Sequence, residues 1–285
     1  MAGTLTADQV ARYKEEGVLH PIPVLPSEEV AHFRGELDRL LHALGGRPKA
    51  TDLHQLHLNF PWAHELATHP AVLDSVESLL GPDLLVWATS VFAKYPRDES
   101  FVSWHQDGSY WGLSSNQVAS AWIALSQSTT ENGCMRVVPG SHHMAIQPHR
   151  DTYAEGNLLS RGQEVAVDVD EADAADVVLA PGEMSVHDIK IVHGSRPNPS
   201  PHVRYGYAVR FIIPTVRQAG EAQPVILARG HDTHEHFEKV QKPVGPVDYT
   251  ATVHAHAQSA RRHMKAVLST RGAYEGIAGD DGPTP

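Results

Sequence analysis

The chain has 285 residues, of which 41% are hydrophobic and 20% are charged. This length can bury the core of one all-β catalytic domain with added helices. The formal net charge of −11 argues against binding to nucleic acid, because the phosphate backbone attracts clustered Lys and Arg. We therefore expect a small-molecule substrate, and the composition leaves open whether the protein forms a homo-oligomer.

Cys134 is the only cysteine, so an intramolecular disulfide cannot form and nothing indicates an oxidising compartment. The first residues have neither the cationic start nor the apolar run of a secretory signal. No stretch approaches the roughly 18 apolar residues of a membrane span. We therefore expect a cytoplasmic protein that does not bind a membrane.

The N-terminal part, residues 1–83, is predicted to be helical. A capping-box pattern at residues 6–9 predicts a short first helix. An amphipathic segment begins at Ser27 and ends at Gly45, and a third helix is predicted at about residues 69–80.

From residue 84 the hydrophobic periodicity shortens, and short apolar segments alternate with Gly, Pro and Asn turns. These segments are predicted strands at residues 84–95, 102–107, 118–126, 135–138, 177–179, 184–191 and 204–213. Many short strands favour a sandwich or barrel, so residues 84–214 are the predicted catalytic β core. Residues 215–285 are a C-terminal extension with a predicted helix at 257–268. The polar segment 147–170 is either a binding loop or lid, or a simple surface excursion.

One motif carries chemistry: His105-Gln106-Asp107, followed much later by His193. Two imidazoles and one carboxylate are the donors of the facial triad that holds non-haem Fe(II) and leaves coordination positions open. In a strand, residues i and i+2 share a face, so His105 and Asp107 can reach one ion while Gln106 points away. His193 follows a β-prone stretch and would arrive from a distant strand. The His-x-Asp pair alone is weak evidence, because the chain has 20 His and 34 acidic residues.

Other histidines offer alternatives to this triad. His187 lies six residues before His193 and is a rival ligand on geometry, or else a packed strand histidine. A second metal site is suggested by three closely spaced histidines, His231, His234 and His236. A polar, solvated segment explains these three better, because no strand pattern there makes them converge.

Further segments place the motif in a wider pattern: WHQD at 104–107, AWIAL at 121–125, ENGCM at 131–135, VPGSH at 138–142, and HGS at 193–195 with Arg204. In this order, across roughly residues 85–214, the chain resembles the phytanoyl-CoA dioxygenase-like (PhyH) family of Fe(II)/2-oxoglutarate oxygenases. The resemblance implies a mainly β fold with helical additions. Its core would be a double-stranded β-helix, a jelly-roll or cupin-like form, packed by N-terminal and C-terminal helices in one domain spanning residues 1–285.

The resemblance also implies residue roles. The family's catalytic iron ligands match His105, Asp107 and His193. Arg204 matches the basic residue that pairs with the distal carboxylate of 2-oxoglutarate, and Ser195 matches a hydroxyl that assists it. The positions that match residues lining the co-substrate pocket are Gln106 and Trp122.

The implied cofactor is Fe(II), with 2-oxoglutarate and O₂ as co-substrates. The implied reaction hydroxylates an unactivated C–H bond of a small metabolite and releases succinate and CO₂. Related halogenating enzymes replace the carboxylate ligand with a small residue, so Asp107 favours hydroxylation over chlorination. Desaturation or ring formation stays open. The alternatives are a non-catalytic jelly roll that binds a metal or small molecule, and a zinc hydrolase with the same ligands.

The strand that follows the triad suggests a substrate class. In a regular strand Arg204, Gly206, Ala208 and Arg210 share a face, so the two small residues would leave open volume. Arg210 would then meet an anionic group of the substrate, or else form a structural ion pair at the strand end. We expect a compact amino acid, betaine or aminophosphonate, or a larger secondary-metabolite scaffold. An acyl-CoA is disfavoured because no basic cluster stands out.

Several more residues are candidates for the substrate pocket. Tyr110, Trp111, Phe92 and Met135 would wall it, although core packing explains them equally well. Lys94 would supply a positive charge at the barrel mouth.

Overall fold

Two antiparallel sheets face each other in the computed structural model, which describes residues 4–166, 169–221 and 223–269. The strands in chain order are β1 Val18–Pro23, β2 Leu84–Lys94, β3 Val102–His105, β4 Val118–Ala124, β5 Met135–Val137, β6 His149–Asp151, β7 Gln163–Val165, β8 Ala175–Val177, β9 Glu183–Asp188, β10 His193–Ser195, β11 Arg204–Ile212 and β12 Ile226–Arg229. The large sheet has the order β1-β9-β4-β11-β2-β12, and the small sheet has the order β3-β10-β5-β8. Strands β6 and β7 form a separate pair. The two facing sheets are the predicted double-stranded β-helix.

Helices cover one side of the large sheet. Their bounds are α1 Ala7–Glu16, α2 Ser27–Ala43, α3 Pro61–Ala67, α4 Pro70–Leu80 and α5 Tyr249–Ser269. The predicted capping box is confirmed, since Thr6 and Gln9 exchange both of its hydrogen bonds at the start of α1. Helix α3 and strands β1, β6, β7, β10 and β12 were not predicted from the sequence. All six are seven residues or fewer, too short to show a clear period.

Strand β11 lies inside the large sheet, hydrogen-bonded to β2 and β4, and all nine of its residues are buried. Its alternate side chains Tyr207, Val209 and Phe211 belong to the main apolar core, together with residues of α2, α3 and α4. The opposite face, which includes Arg204 and Arg210, looks toward the small sheet. The period-two pattern therefore separates a stabilising face from a face that lines a cavity.

In the small sheet, His193 on β10 lies directly opposite His105 on β3. Strand β3 ends at His105, so the prediction that Asp107 belongs to the same strand was wrong. Asp107 instead begins a 3₁₀ turn, Asp107–Ser109, in which the N–H of Gly108 donates to the carbonyl oxygen of Ile189 at 2.9 Å. This turn brings the Asp107 carboxylate back toward His105.

Across the three described ranges, no helix combines the length and apolar character that a membrane crossing requires. The division into one domain with N-terminal and C-terminal parts, and the cytoplasmic location, stay predictions.

The face of β11 that packs in the apolar core should contribute to the free energy of unfolding. The hydroxyl of fully buried Tyr207 donates to the carbonyl oxygen of Ala63 at 2.8 Å. We expect Tyr207→Phe to lower the free energy of unfolding by about 1–3 kcal/mol, because a buried carbonyl loses its donor. Denaturant unfolding measures this change. The matched control is Tyr153→Phe, since Tyr153 is 66% exposed, and equal effects of the two variants would contradict the assignment.

Candidate functional site

Three metal-donor side chains converge between the sheets: His105, Asp107 and His193. One donor atom from each lies within 4.8 Å of the other two, and all three residues are buried. Nε2 of His105 is 3.3 Å from Oδ1 of Asp107, and the two imidazole ring centres are 4.1 Å apart. Within the described ranges no other group of three potential ligands is this close. The structure thus brings together the three residues that the sequence singled out.

Backbone carbonyls orient both imidazoles. Nδ1 of His105 lies 2.9 Å from the carbonyl oxygen of Ser103, and Nδ1 of His193 lies 3.0 Å from that of Ile191. A carbonyl oxygen can only accept, so Nδ1 carries the hydrogen in each ring and Nε2 keeps its lone pair for a metal. Burial above all holds the pKa of His193 well below its usual value, which keeps this ring neutral.

The carboxylate of Asp107 completes an anionic ligand set. Burial alone would raise its pKa, but the close imidazoles of His105 and His193 and the charge of Arg210 outweigh burial and leave the pKa well below its usual value. Tyr110 donates its hydroxyl to Oδ1 of Asp107 at 3.0 Å. Two imidazole nitrogens and one carboxylate oxygen fit a divalent transition-metal ion.

His187, the rival ligand, lines the wall beside this triad. Its Nε2 is 4.0 Å from Oδ2 of Asp107, and burial above all lowers its pKa to about 4. The structure groups His193 rather than His187 with the other two donors. In the C-terminal segment, His234 is exposed and His236 is half-buried, and their ring centres are 5.4 Å apart. Neither belongs to a ligand group within the described ranges.

A buried cation lies at one end of the site. Arg204 is 2% exposed, its Nη1 donates to the carbonyl oxygen of Gly133 at 2.9 Å, and its buried Nε has no hydrogen-bond partner in the described parts of the chain. Burial lowers the pKa of Arg204 to about 10, so the guanidinium is charged at neutral pH. None of the described carboxylates forms an ion pair with it. A buried charge without a counter-ion is unfavourable, so this end of the site suits an anion.

Lys94 lies beside Arg204, and its predicted place at the barrel mouth was wrong. The side chain is fully buried, and Nζ lies 2.7 Å from Oγ of Ser195, 3.3 Å from the carbonyl oxygen of Gly133 and in contact with the carbonyl oxygen of Arg196. Burial first, and then the charge of Arg204, lower the pKa of Lys94 to about 6. The register that places Lys94 opposite Arg204 is the signal that would have revealed this position.

Gln106, predicted to line the co-substrate pocket, has a different place. Its Nε2 donates to the carbonyl oxygen of Lys190 at 2.7 Å, and its Oε1 accepts from the N–H of Gln147 at 2.7 Å. The side chain thus joins two loops and does not line the cavity. The prediction fails because both ends of the amide are bonded to backbone.

Trp122 does line the cavity, next to Arg204, whose guanidinium carbon is 5.2 Å from the indole centre. The indole lies across Gly206, and a Cβ atom at Gly206 would overlap the indole ring. The predicted open volume at Gly206 is therefore filled by Trp122. Ala208 still borders open space.

One cavity connects the triad with Arg204 and Arg210. Its wall includes the predicted residues Phe92, Tyr110, Trp111, Met135 and Ser195. The wall also includes residues that sequence reasoning missed, among them His54, Trp87, Ser90, Ser120, Leu158, Leu159, Ser160 and His263. Three of these, Leu158, Leu159 and Ser160, belong to the polar segment 147–170, which supports its interpretation as a binding loop.

Arg210 projects into this cavity and is 8% exposed. Its Nη1 donates to Oγ of Ser90 at 2.8 Å, and its guanidinium carbon lies 5.7 Å from the ring centre of Phe92 and 5.5 Å from that of Trp111. No described carboxylate forms an ion pair with it, so the predicted structural ion pair is absent from the described residues.

Comparison with known proteins identifies the family. The phytanoyl-CoA dioxygenase (PhyH) family model matches residues 13–206, so the chain belongs to this family. The family consists of non-haem iron dioxygenases that depend on 2-oxoglutarate and O₂, which confirms the predictions of an enzyme and of its cofactor and co-substrates.

Three similar proteins illustrate the range of relatives. Peroxisomal phytanoyl-CoA dioxygenase of Bos taurus is 30% identical over 151 residues, which are 50% of this chain and 44% of the bovine protein. A probable alpha-ketoglutarate-dependent hypophosphite dioxygenase of Stutzerimonas stutzeri is 27% identical, over 68% of this chain and 67% of that protein. The structure of the non-haem monooxygenase ThoJ is 32% identical with a TM-score of 0.79, and the match covers 93% of this chain and all of ThoJ.

The contact between Gly206 and Trp122 can be tested. We expect Gly206→Ala to push the indole away from its position beside Arg204, because overpacking of this kind costs about 1–3 kcal/mol. The affinity for 2-oxoglutarate should fall about tenfold, measured by anaerobic calorimetry of the Fe(II)-loaded protein. Gly35→Ala is the control, since nothing lies within 4 Å of a Cβ atom there. An unchanged affinity in Gly206→Ala would show that the indole does not position the co-substrate.

Proposed function

We propose that this protein is an Fe(II)- and 2-oxoglutarate-dependent hydroxylase that acts on an unactivated C–H bond of a compact, anion-bearing metabolite. One observation carries the proposal. A single cavity holds three convergent metal donors and a buried arginine without an anionic partner among the described residues. A simple metal site would not explain Arg204, and a simple anion site would not explain the triad.

His105, Asp107 and His193 would hold the iron. Their three donor atoms leave coordination positions for the keto-acid end of 2-oxoglutarate and for O₂. Bound iron would supply the oxidising chemistry that converts 2-oxoglutarate to succinate and CO₂ and hydroxylates the substrate. Tyr110 donates to one oxygen of Asp107 and so holds the carboxylate in one orientation.

Arg204 would bind the distal carboxylate of 2-oxoglutarate through its Nε–H, which has no partner among the described residues, and its forked guanidinium suits a carboxylate. Ser195 lines the same cavity, and its Oγ lies 2.7 Å from Nζ of Lys94, which adds positive charge near this end. Trp122 covers this end of the cavity, and an apolar wall there limits the access of water to the co-substrate.

Arg210 would bind the substrate. It is six residues from Arg204 on the same face of β11, which is about 20 Å along a strand at roughly 3.3 Å per residue. One small carboxylate cannot reach both arginines, so one serves the co-substrate and the other serves the substrate. The similar protein of Stutzerimonas stutzeri is named for hypophosphite, a compact oxyanion, which agrees with an anionic substrate.

The iron site is tested by anaerobic titration of the Fe(II)-loaded protein with 2-oxoglutarate. We expect a weak visible charge-transfer band in wild type and none in His193→Ala, because loss of one ligand removes the iron. His254→Ala, a change at an exposed residue of α5, should keep the band. A band in neither wild type nor control would favour a non-catalytic binding protein or a different metal.

A second test measures the uptake of protons by Lys94 when 2-oxoglutarate binds. With a pKa of about 6, Lys94 is mostly neutral at pH 7.5. A carboxylate bound beside it favours the charged form, so binding of 2-oxoglutarate should take up as much as one proton at pH 7.5 and less at pH 5. Calorimetry in two buffers of different ionisation enthalpy counts these protons. Lys94→Met should remove the uptake, and an uptake of equal size in that variant would assign it to another group.

A further inference from the structure

At the Arg210 end, the cavity is lined by two histidines that no sequence motif includes, His54 and His263. Their ring centres are 5.4 Å apart. His54 follows the 3₁₀ turn Ala50–Leu53, and His263 is on α5. The family model ends at residue 206, so α5 lies outside the part of the chain that defines the family.

A short hydrogen-bond chain sets the tautomer of His54. Nη1 of Arg210 donates to Oγ of Ser90 at 2.8 Å, and the same Oγ lies 2.6 Å from Nδ1 of His54. A guanidinium can only donate, so Ser90 accepts from Arg210, and the one acceptor left for the Ser90 hydroxyl among the described residues is Nδ1 of His54. Nε2 of a neutral His54 therefore carries the hydrogen. The pKa of His54 is lowered to about 3, by burial first and then by the charges of Arg210 and His256, so this ring is neutral.

A second chain sets the tautomer of His263. The backbone N–H of Thr89 donates to Oε1 of Gln55 at 3.2 Å, so the amide nitrogen of Gln55 faces Nδ1 of His263, at 3.1 Å, and donates to it. Oε1 of Gln223 is 3.3 Å from the same Nδ1, but Nε2 of Gln223 has no partner in the described residues. Rotating that amide by 180° loses no other bond, so Gln55 decides the tautomer.

Nε2 of His263 therefore also carries a hydrogen. Burial, followed by the charges of His54 and Arg210, holds the pKa of His263 well below its usual value, so this ring is neutral as well. Neither Nε2 has a hydrogen-bond partner in the described part of the chain. Neither atom is sealed inside protein, whereas Nε2 of His57 close by is both sealed and unpartnered. Both N–H groups are thus available to a molecule in the cavity.

We propose that Arg210, His54 and His263 form an oxyanion subsite that selects the substrate, with the C-terminal helix contributing one of its three donors. The subsite presents one guanidinium and two N–H groups, which match the oxygens of a carboxylate or a phosphate-like group. This inference rests on the proposed function, because it places the substrate in the same cavity as the iron. His54 and His263 are then specificity-determining residues.

The residues that line the cavity around the subsite restrict the class of substrate further. Trp87 and Trp111 are in contact, with ring centres 5.3 Å apart, and both line the cavity together with Phe92. Aromatic faces suit a flat or apolar carbon skeleton. The substrate class is therefore a small molecule with one oxyanion on a short apolar stem, and the carbon to be oxidised lies on the triad side of that stem.

The test uses full-length protein loaded with Fe(II) and saturated with 2-oxoglutarate under anaerobic conditions, so that the Arg204 end is filled. Calorimetry compares benzoate, inorganic phosphate and benzamide, which is a neutral match for benzoate. We expect benzoate to bind at least about tenfold more tightly than benzamide. Tighter binding of phosphate than of benzoate would assign the subsite to a tetrahedral oxyanion.

Single substitutions then measure how much each of the three donors contributes to benzoate affinity. His54→Ala and His263→Ala should each weaken benzoate binding by about ten- to a hundredfold, the usual size for one hydrogen bond to a charged group. Arg210→Ala should weaken it at least as much. His263→Gln keeps an N–H donor near the position of Nε2 and should restore most of the affinity. His254→Ala, on the exposed side of the same helix, is the control.

The proposal is overturned if neither benzoate nor phosphate binds, if benzamide binds as well as benzoate, or if the His54 and His263 variants bind benzoate like wild type. If a variant does not fold, ¹⁵N NMR of histidine-labelled, Zn(II)-loaded wild type decides, since benzoate must shift two neutral Nε2–H resonances. The charge-transfer band is a separate readout. Loss of that band in wild type would refute the proposed function, whereas failure of anion binding with the band intact would refute only the subsite.

Discussion

The site depends on one constraint: strand β11 is buried on both faces, and its side chains alternate between them. One face joins the apolar core under α2, α3 and α4, and Tyr207 there also bonds to the backbone of α3. The other face carries Arg204 and Arg210 into the cavity. Because both faces belong to the same nine residues, the packing that holds the fold together also fixes the distance between the two cations.

A second feature of the site is that its two buried arginines have no acidic partner among the described residues. Arg204 and Arg210 form no ion pair with any described carboxylate, although the chain has 34 acidic residues and a net charge of −11. Desolvated cations of this kind destabilise a fold unless an anion arrives. The anionic ligands proposed above would explain the arrangement. One would bind near Lys94 and Ser195, and the other would bind where His54 and His263 offer neutral donors.

Much of the core was predictable because its signals are local. The capping box at Thr6 predicted α1, alternation predicted β11, and the donor chemistry of His105, Asp107 and His193 predicted their convergence. Predictions failed where the position of a side chain is set by contacts with residues that are distant in the sequence. Gln106 is bonded to two loops, and Lys94 lies inside the protein because β2 pairs with β11 in the observed register.

The family resemblance carried by five short segments predicted the class of the protein, and residue type predicted the three candidate metal donors. Spacing along one strand was enough to predict that Arg204 and Arg210 share a face. Two features became visible only in the folded chain: Trp122 fills the space over Gly206, and His54 and His263 meet beside Arg210. The physical reason is separation along the chain. His54 and His263, about 200 positions apart, come together because α5 packs on the turns before β2. The hydrophobic pattern of neither segment predicts that contact.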